Sequence, residues 1–337
     1  MSDHQFQIGA SITQWRGESD TQDFVKMLDQ VPNDASWSEV LNTIAPFSGG
    51  ALIPGREPVL AMGDLHGCNP EILKRDLHRV GLVDIDGKWL NRRDYKFVQM
   101  GDLVDRGSHN LEVYDYMREL KLQAGDNLIR LVGNHDLYHI VGHPESIRAL
   151  PIPGLQSRFL EDILSGQMVC AWSEYDTIYT HAGIDLKFFP EFKDEPPYEI
   201  VSQLNLRFRT SIAKFAVLLI EAKGDQDARD EAESRLLKSD RIFDIKNGIF
   251  WTRSNISNDQ FRQVVGHTPQ RSGIRCRPGD RVKYIDAGRI FGELGSIQSD
   301  QAQAIMGNSV TEEGVRWIAA HPETHRTFVS SRNLAAD

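Results

Sequence analysis

The sequence is short of cysteine, of long apolar runs and of basic charge. Its three cysteines, Cys68, Cys170 and Cys276, are odd in number, widely separated and without CxxC spacing, which excludes a disulfide framework and a thiolate zinc site. The longest strongly apolar run is FAVLLI at 215–220, far short of the roughly 20 residues a membrane span requires. The N-terminal MSDHQFQIGASITQW has no basic head followed by an apolar stretch, so no secretory signal is read and a cytoplasmic location is expected. Acidic residues outnumber basic ones 48 to 38, a formal charge of -10. Such a surface repels polyanions, so neither nucleic acid nor a membrane is an expected partner, and an anionic substrate would need local attraction.

What is present suffices for a full core. The 337 residues are 40% hydrophobic and 26% charged, enough for one large domain or two. Residues 1–57, with Trp15, Trp37 and the helix-like SWSEVLNTIAPF, read as an extension packed on the main domain. From residue 58 a rhythm begins. PVLAM ends at Gly63, and NPEILKRDLHRVG then has helical spacing, with Asn69 as cap, Pro70 in the first turn, Ile72, Leu73, Leu77 and Val80 on one face, and Gly81 as stop. KFVQM ends at Gly101, and the helix that follows places Val113, Tyr114, Met117 and Leu120 together; NLIRLV ends at Gly133. Strand, helix, strand, helix, strand with crossovers of this length predicts an α/β fold built on right-handed parallel βαβ units.

DTIYT, RQVV and RVKYI read as later strands. Residues 185–248, containing SIAKFAVLLIEAK and the charged GDQDARDEAESRLLKSD, read as a helical insert or cap within a domain spanning 58–300. Residues 301–337 form a C-terminal segment.

The chemistry lies just beyond the strand ends: GDLHG at 63–67, GDLVDRG at 101–107, GNHD at 133–136, THAGI at 180–184 and VGHTP at 265–269. Each alone is weak, because GD and HG are common at turns. Five in succession are not, since ligands of open α/β sheets bind where the loops at the carboxyl ends of strands converge. The candidate ligands are Asp64, His66, Asp102, Asn134, His181 and His267, a mixture of carboxylate, imidazole and amide that suits manganese, iron or zinc better than calcium. Six ligands exceed one tetrahedral ion and fit two divalent ions, which lower the pKa of bound solvent and supply hydroxide for in-line attack on phosphorus. Arg106, four residues after Asp102, is placed to clamp phosphoryl oxygens, and Arg253 in IFWTR is a second candidate.

His135 neighbours the ligand Asn134, and adjacent side chains diverge. It is therefore read as the acid that protonates the leaving group, with Asp105 as its partner. Asp136 is read as fixing the turn or a contact behind the ligands, and Asp286 likewise as a hydrogen-bond organiser. His139 and His143 are expected to face solvent or to be structural, and Cys68 to be a packed side chain.

These motifs resemble the phosphoprotein phosphatase family of calcineurin-like metallophosphoesterases, over about residues 58–293 and closest to its bacterial and phage branch; the shared segments read GDLHGC, GDLVDRG, WTR, VGHTP and YIDAG. The resemblance implies a β-sandwich of two mixed sheets flanked by helices. It assigns Asp64, His66 and Asp102 to one metal and Asp102, Asn134, His181 and His267 to the other, most naturally manganese. It implies Arg106 and Arg253 as phosphate-binding residues, His135 and Asp105 as the acid pair, and a phosphoprotein or small phosphorylated molecule as substrate. GNHD in place of GNHE and HAGI in place of HGG resemble instead the symmetric dinucleoside tetraphosphate hydrolases. The intact Asp105, together with the WTR and VGHTP segments, favours a phosphomonoesterase over that alternative, and the unsubstituted catalytic positions favour either over a non-catalytic metal-binding adaptor. Oligomeric state is left open.

Overall fold

The computed structural model describes residues 59–79, 82–90, 96–141, 149–174, 177–253, 256–269, 281–286, 305–311, 314–321 and 326–329. The extension at 1–57, His143 and Cys276 lie outside the described residues.

The rhythm at the start of the domain produces β1 (Val59–Met62), α1 (Pro70–Arg79), β2 (Lys96–Gln99), α2 (Asn110–Ala124), β3 (Leu128–Arg130) and α3 (Asn134–Val141). Asn69 caps α1: its Oδ1 accepts from the Glu71 amide at 2.9 Å. On α2 the buried residues are Val113, Tyr114, Met117 and Leu120, the helical face read from spacing. β1 pairs parallel with β2, and β2 with β3.

The remaining elements are α4 (Leu155–Leu164), β4 (Ala171–Glu174), β5 (Thr177–Thr180), α5 (Pro197–Ala222), α6 (Gln226–Ser239), β6 (Arg262–Val265), β7 (Val282–Tyr284), β8 (Ile305–Thr311), β9 (Gly314–His321) and β10 (Arg326–Val329). They complete two mixed sheets, ordered β10-β9-β8-β1-β2-β3 and β4-β5-β6-β7. Three parts go beyond the sequence-based expectation. These are α4, β4 and the C-terminal strands, of which β8 joins the first sheet by antiparallel pairing with β1.

Period-two alternation sends each strand's side chains to two different apolar layers. Val59, Ala61, Val98, Met100, Ile129 and Leu131 from the first sheet meet Tyr179, Val264 and Ile285 from the second, filling the space between the sheets. Their neighbours Leu60, Met62, Phe97 and Ile178 point the other way, into a larger cluster formed with the helices. A strand buried on both faces reads as a continuous apolar run, which is why PVLAM is legible as a strand.

The 185–248 region is chiefly the pair α5 and α6. Ile200, Leu204, Phe208, Ile212 and Phe215 on α5 are buried. Asn205 ties α5 to the edge strand β4: its Oδ1 accepts from the Cys170 and Ala171 amides at 3.1 and 3.2 Å, and its Nδ2 donates to the Ala171 carbonyl at 2.8 Å. Among the described residues no helix is long and apolar enough to cross a membrane.

Candidate metal centre

The loops after β1, β2, β3, β5 and β6 converge, and backbone hydrogen bonds lock them together. The amides of Leu65 and His66 donate to the Asp102 carbonyl at 3.0 and 2.8 Å, and the Gly107 amide to the His66 carbonyl at 2.9 Å. The Gly266 amide donates to the His181 carbonyl at 2.8 Å. From β6, buried Gln263 clamps the loop after β5 by accepting from the Ile184 amide and donating to the Ile184 carbonyl, at 2.8 and 2.9 Å. The loops approach so closely that a Cβ on Gly133 would lie 2.1 Å from Asp102 Oδ1, and one on Gly266 would lie 2.4 Å from Asp64 Oδ1.

His66, Asp102, Asp105, Arg106 and His267 have φ of 48°, 52°, 73°, 66° and 61°. A left-handed backbone is unfavourable for residues with a side chain, and such strain persists only where the surroundings enforce it. Among the described residues only Asp194 and Lys223 share this non-glycine conformation elsewhere, so the strain is concentrated in these loops.

All six sequence-predicted ligands are buried and come together. Asp64, His66, Asp102, Asn134, His181 and His267 are between 0% and 7% exposed. His66 Nε2 lies 3.7 Å from Asp64 Oδ2 and 3.6 Å from Asp102 Oδ2. His181 Nε2 lies 2.9 Å from Asn134 Oδ1 and 3.5 Å from Asp102 Oδ1. The His267 ring stands 5.0 Å from that of His181, and its amide donates to Asp64 Oδ1 at 3.1 Å. Donor atoms of Asp102, His181 and His267 form one group close enough to share an ion, and those of His66, Asp102 and His135 form another.

The fit to cations rests on proton accounting. His66 Nδ1 donates to the Val104 carbonyl at 3.1 Å, which leaves Nε2 as a lone pair facing two carboxylates; that buried nitrogen and His267 Nε2 have no hydrogen-bond partner. His181 sits between the Met100 carbonyl, 2.8 Å from Nδ1, and Asn134 Oδ1, so a neutral ring can donate to only one of the two acceptors. Charging the rings is no remedy: burial holds the pKa of His66, His181 and His267 below the ordinary histidine value, with Arg106 also acting against protonation of His66. Burial first, then Asp286 and Asp102, raise the Asp64 carboxyl. Divalent cations held between them would satisfy these buried acceptors and lone pairs.

The second set of residues flanks this cluster. His135 Nδ1 donates to Asp105 Oδ2 at 2.9 Å, and Arg106 Nη2 donates to His135 Nε2 at 3.1 Å. The His135 amide donates to Asp102 Oδ1 at 2.8 Å, so the same residue touches both sets. Arg106 and Arg253 are exposed, and Arg253 is near enough for its charge to oppose protonation of His267. Asp136, at the start of α3, accepts from the Gly133 and Leu103 amides, both at 2.9 Å. This is the role behind the ligands expected for it; burial, then Asp102, push its carboxyl up to about 7. Cys68 is a packed side chain, as expected.

His139 departs from one half of its expectation. It does not face solvent but is 3% exposed, with Nε2 donating to Asp105 Oδ1 at 2.6 Å. The signal was its place four residues after His135, one turn along the same helix face. Gln263 and Asn110 were also missed as organisers; Asn110 Oδ1 accepts from the Asp105 amide at 2.8 Å. Nothing local in the sequence distinguishes Gln263, whose partners lie 79 residues away.

Residues 57–290 match the family model of the calcineurin-like phosphoesterases, and the chain belongs to that family of metal-dependent hydrolases. An uncharacterized protein of Schizosaccharomyces pombe is 28% identical over 274 residues, covering 74% of this chain and 79% of the relative. Shewanella-like protein phosphatase 2 of Arabidopsis thaliana is 33% identical over 89 residues, 26% of this chain and 22% of that protein. A symmetrical bis(5'-nucleosyl)-tetraphosphatase of Aliivibrio fischeri is 30% identical over 152 residues, 42% of this chain and 51% of the relative. These last two matches thus span about a fifth and about half of the relatives' lengths. The crystal structure of a cold-active protein-tyrosine phosphatase of a Shewanella species has a TM-score of 0.55 at 20% identity, covering 83% of each chain, a likeness of fold.

Proposed function

We propose that the chain is a two-metal phosphomonoesterase acting on phosphoproteins and small phosphomonoesters. Asp64, His66 and Asp102 would hold one ion and Asp102, Asn134, His181 and His267 the other, with manganese the best match to this donor set. Ions bound there supply Lewis acidity and an activated water, and they offset the repulsion between an acidic protein and a phosphate. Arg106 and Arg253 bind and orient the phosphoryl oxygens. Once Nε2 has taken up a proton from solvent, the His135 imidazolium, held at Nδ1 by Asp105, gives that proton to the leaving oxygen. Phosphate that engages Arg106 draws the guanidinium off Nε2 and leaves that nitrogen facing the leaving group.

The observation that carries this reading is the contact between His135 Nδ1 and Asp105 Oδ2. An alkoxide or phenoxide is a poor leaving group that gains from a positioned acid, by about 10² to 10⁴ in rate. A nucleoside diphosphate leaving from a dinucleoside polyphosphate needs no such help. In this reading the protein works in the cytoplasm.

The second reading, a symmetric dinucleoside tetraphosphate hydrolase, is favoured by the match to the Aliivibrio enzyme and by GNHD and HAGI. Steady-state assays of the manganese-loaded protein on a phosphopeptide and on diadenosine tetraphosphate separate the two. A higher kcat/KM for the phosphopeptide is expected; the reverse order would replace the first reading with the second.

A further inference from the structure

The Asp105 carboxylate is shared between two imidazoles. Oδ2 accepts from His135 and Oδ1 from His139, at 2.9 and 2.6 Å, and both rings lie on α3 one turn apart. All three side chains are buried, at 3%, 4% and 3% exposure for Asp105, His135 and His139. The Asp105 amide is itself held by Asn110 Oδ1. A carboxylate can rotate about its bond to Cβ and slide off a partner; one held at both oxygens cannot.

We propose that His139 is a positioning residue for the reaction. By donating from Nε2 to Asp105 Oδ1, it fixes the carboxylate plane and so the orientation of the His135 ring. The inference rests on the reading of His135 as the proton donor. Both hydrogen bonds favour the charged carboxylate. Burial raises the Asp105 pKa, and the bonds from His135 and His139 outweigh it, leaving the group below its ordinary value. The ionised form is the one that accepts from both rings at once.

Because His139 is buried with its Nε2 committed to Asp105, its loss differs in kind from loss of a binding residue. Without the second tether Asp105 and His135 lose their alignment, and proton delivery suffers while phosphate binding does not. The deficit should grow as the leaving group becomes more basic and vanish where no proton is needed.

The test uses the manganese-loaded full chain and an aryl phosphate series from 2,4-dinitrophenyl to phenyl phosphate, with variants His139→Phe, His139→Gln and His135→Asn. Metal content and thermal unfolding are measured alongside. For His139→Phe we expect kcat on phenyl phosphate to fall by about tenfold or more at unchanged KM, with less than about a twofold change on 2,4-dinitrophenyl phosphate. His139→Gln, whose amide can donate from near the position of Nε2, should recover most of the loss. A crystal structure of His139→Phe should show the Asp105 carboxylate rotated. An equal fall on all substrates, or a fall that glutamine does not relieve, would make His139 a packing residue and overturn the proposal. A leaving-group-dependent loss in His135→Asn with none in His139→Phe would overturn the role of His139 alone. Absence of such dependence in His135→Asn would overturn the reading of His135 and this inference with it.

Discussion

In the loops after β1, β2, β3 and β6, polar atoms carry the architecture; in α5 and α6, apolar side chains do. Around Asp102 the carbonyl receives two amides, the carboxylate another, and five non-glycine residues in these loops hold a left-handed backbone. Along α5 the buried residues from Ile200 to Phe215 recur three or four apart, and Leu206 and Ile220 on the opposite side are 69% and 76% exposed. The helix tolerates change because its register is set by a broad apolar stripe. The loops do not, because specific backbone and side-chain hydrogen bonds hold them in a strained conformation. Asn205 is the point at which α5 behaves like the loops, through its four bonds to Cys170 and Ala171.

Asp102→Asn should break the contrast most severely. In the proposed bridging role its loss weakens both ions by more than about 100-fold, beyond the usual cost of an outer contact. Elemental analysis after gel filtration should find neither ion retained, and two retained ions would contradict the bridging role. Gly133→Ala comes next, since its Cβ would meet Asp102 Oδ1 at 2.1 Å and the Asp102 nitrogen at 2.3 Å, and a backbone atom has nowhere to go. A loss of about 1–3 kcal/mol is expected from overpacking, together with lowered activity; a denaturant melt and a phosphatase assay test both.

Asn205→Ala should cost about 1–3 kcal/mol by leaving the Cys170 and Ala171 amides unpaired, yet leave kcat/KM unchanged. A selective loss of activity would show that α5 and α6 shape the site rather than only covering the edge of β4. Ile220→Gln should shift stability by no more than about 0.5 kcal/mol, as an exposed substitution. A larger loss in a melt would mean that this face is covered in solution.

The same contrast explains what local sequence could and could not foretell. Helix faces such as Val113, Tyr114, Met117 and Leu120 repeat at a fixed spacing, and the cap Asn69 precedes its helix directly. Such signals survive without knowledge of the rest of the chain. The pairing of β8 with β1 joins residues 243 to 249 positions apart in sequence, and no spacing rule reaches that far. The clamp by Gln263 and the burial of His139 are of the same kind: each depends on what arrives from another loop.

By itself the order of residues determined which side chains could serve chemistry, since metal-competent groups stand at one strand end after another and apolar runs cannot end in them by chance alone. Folding decided how those groups are oriented and which share a partner. The direction of an imidazole lone pair and the second ring on Asp105 arise only when separate loops are brought within hydrogen-bond distance. Such bonds act over about 3 Å and are sensitive to angle, so they belong to the assembled sheets and not to any one segment.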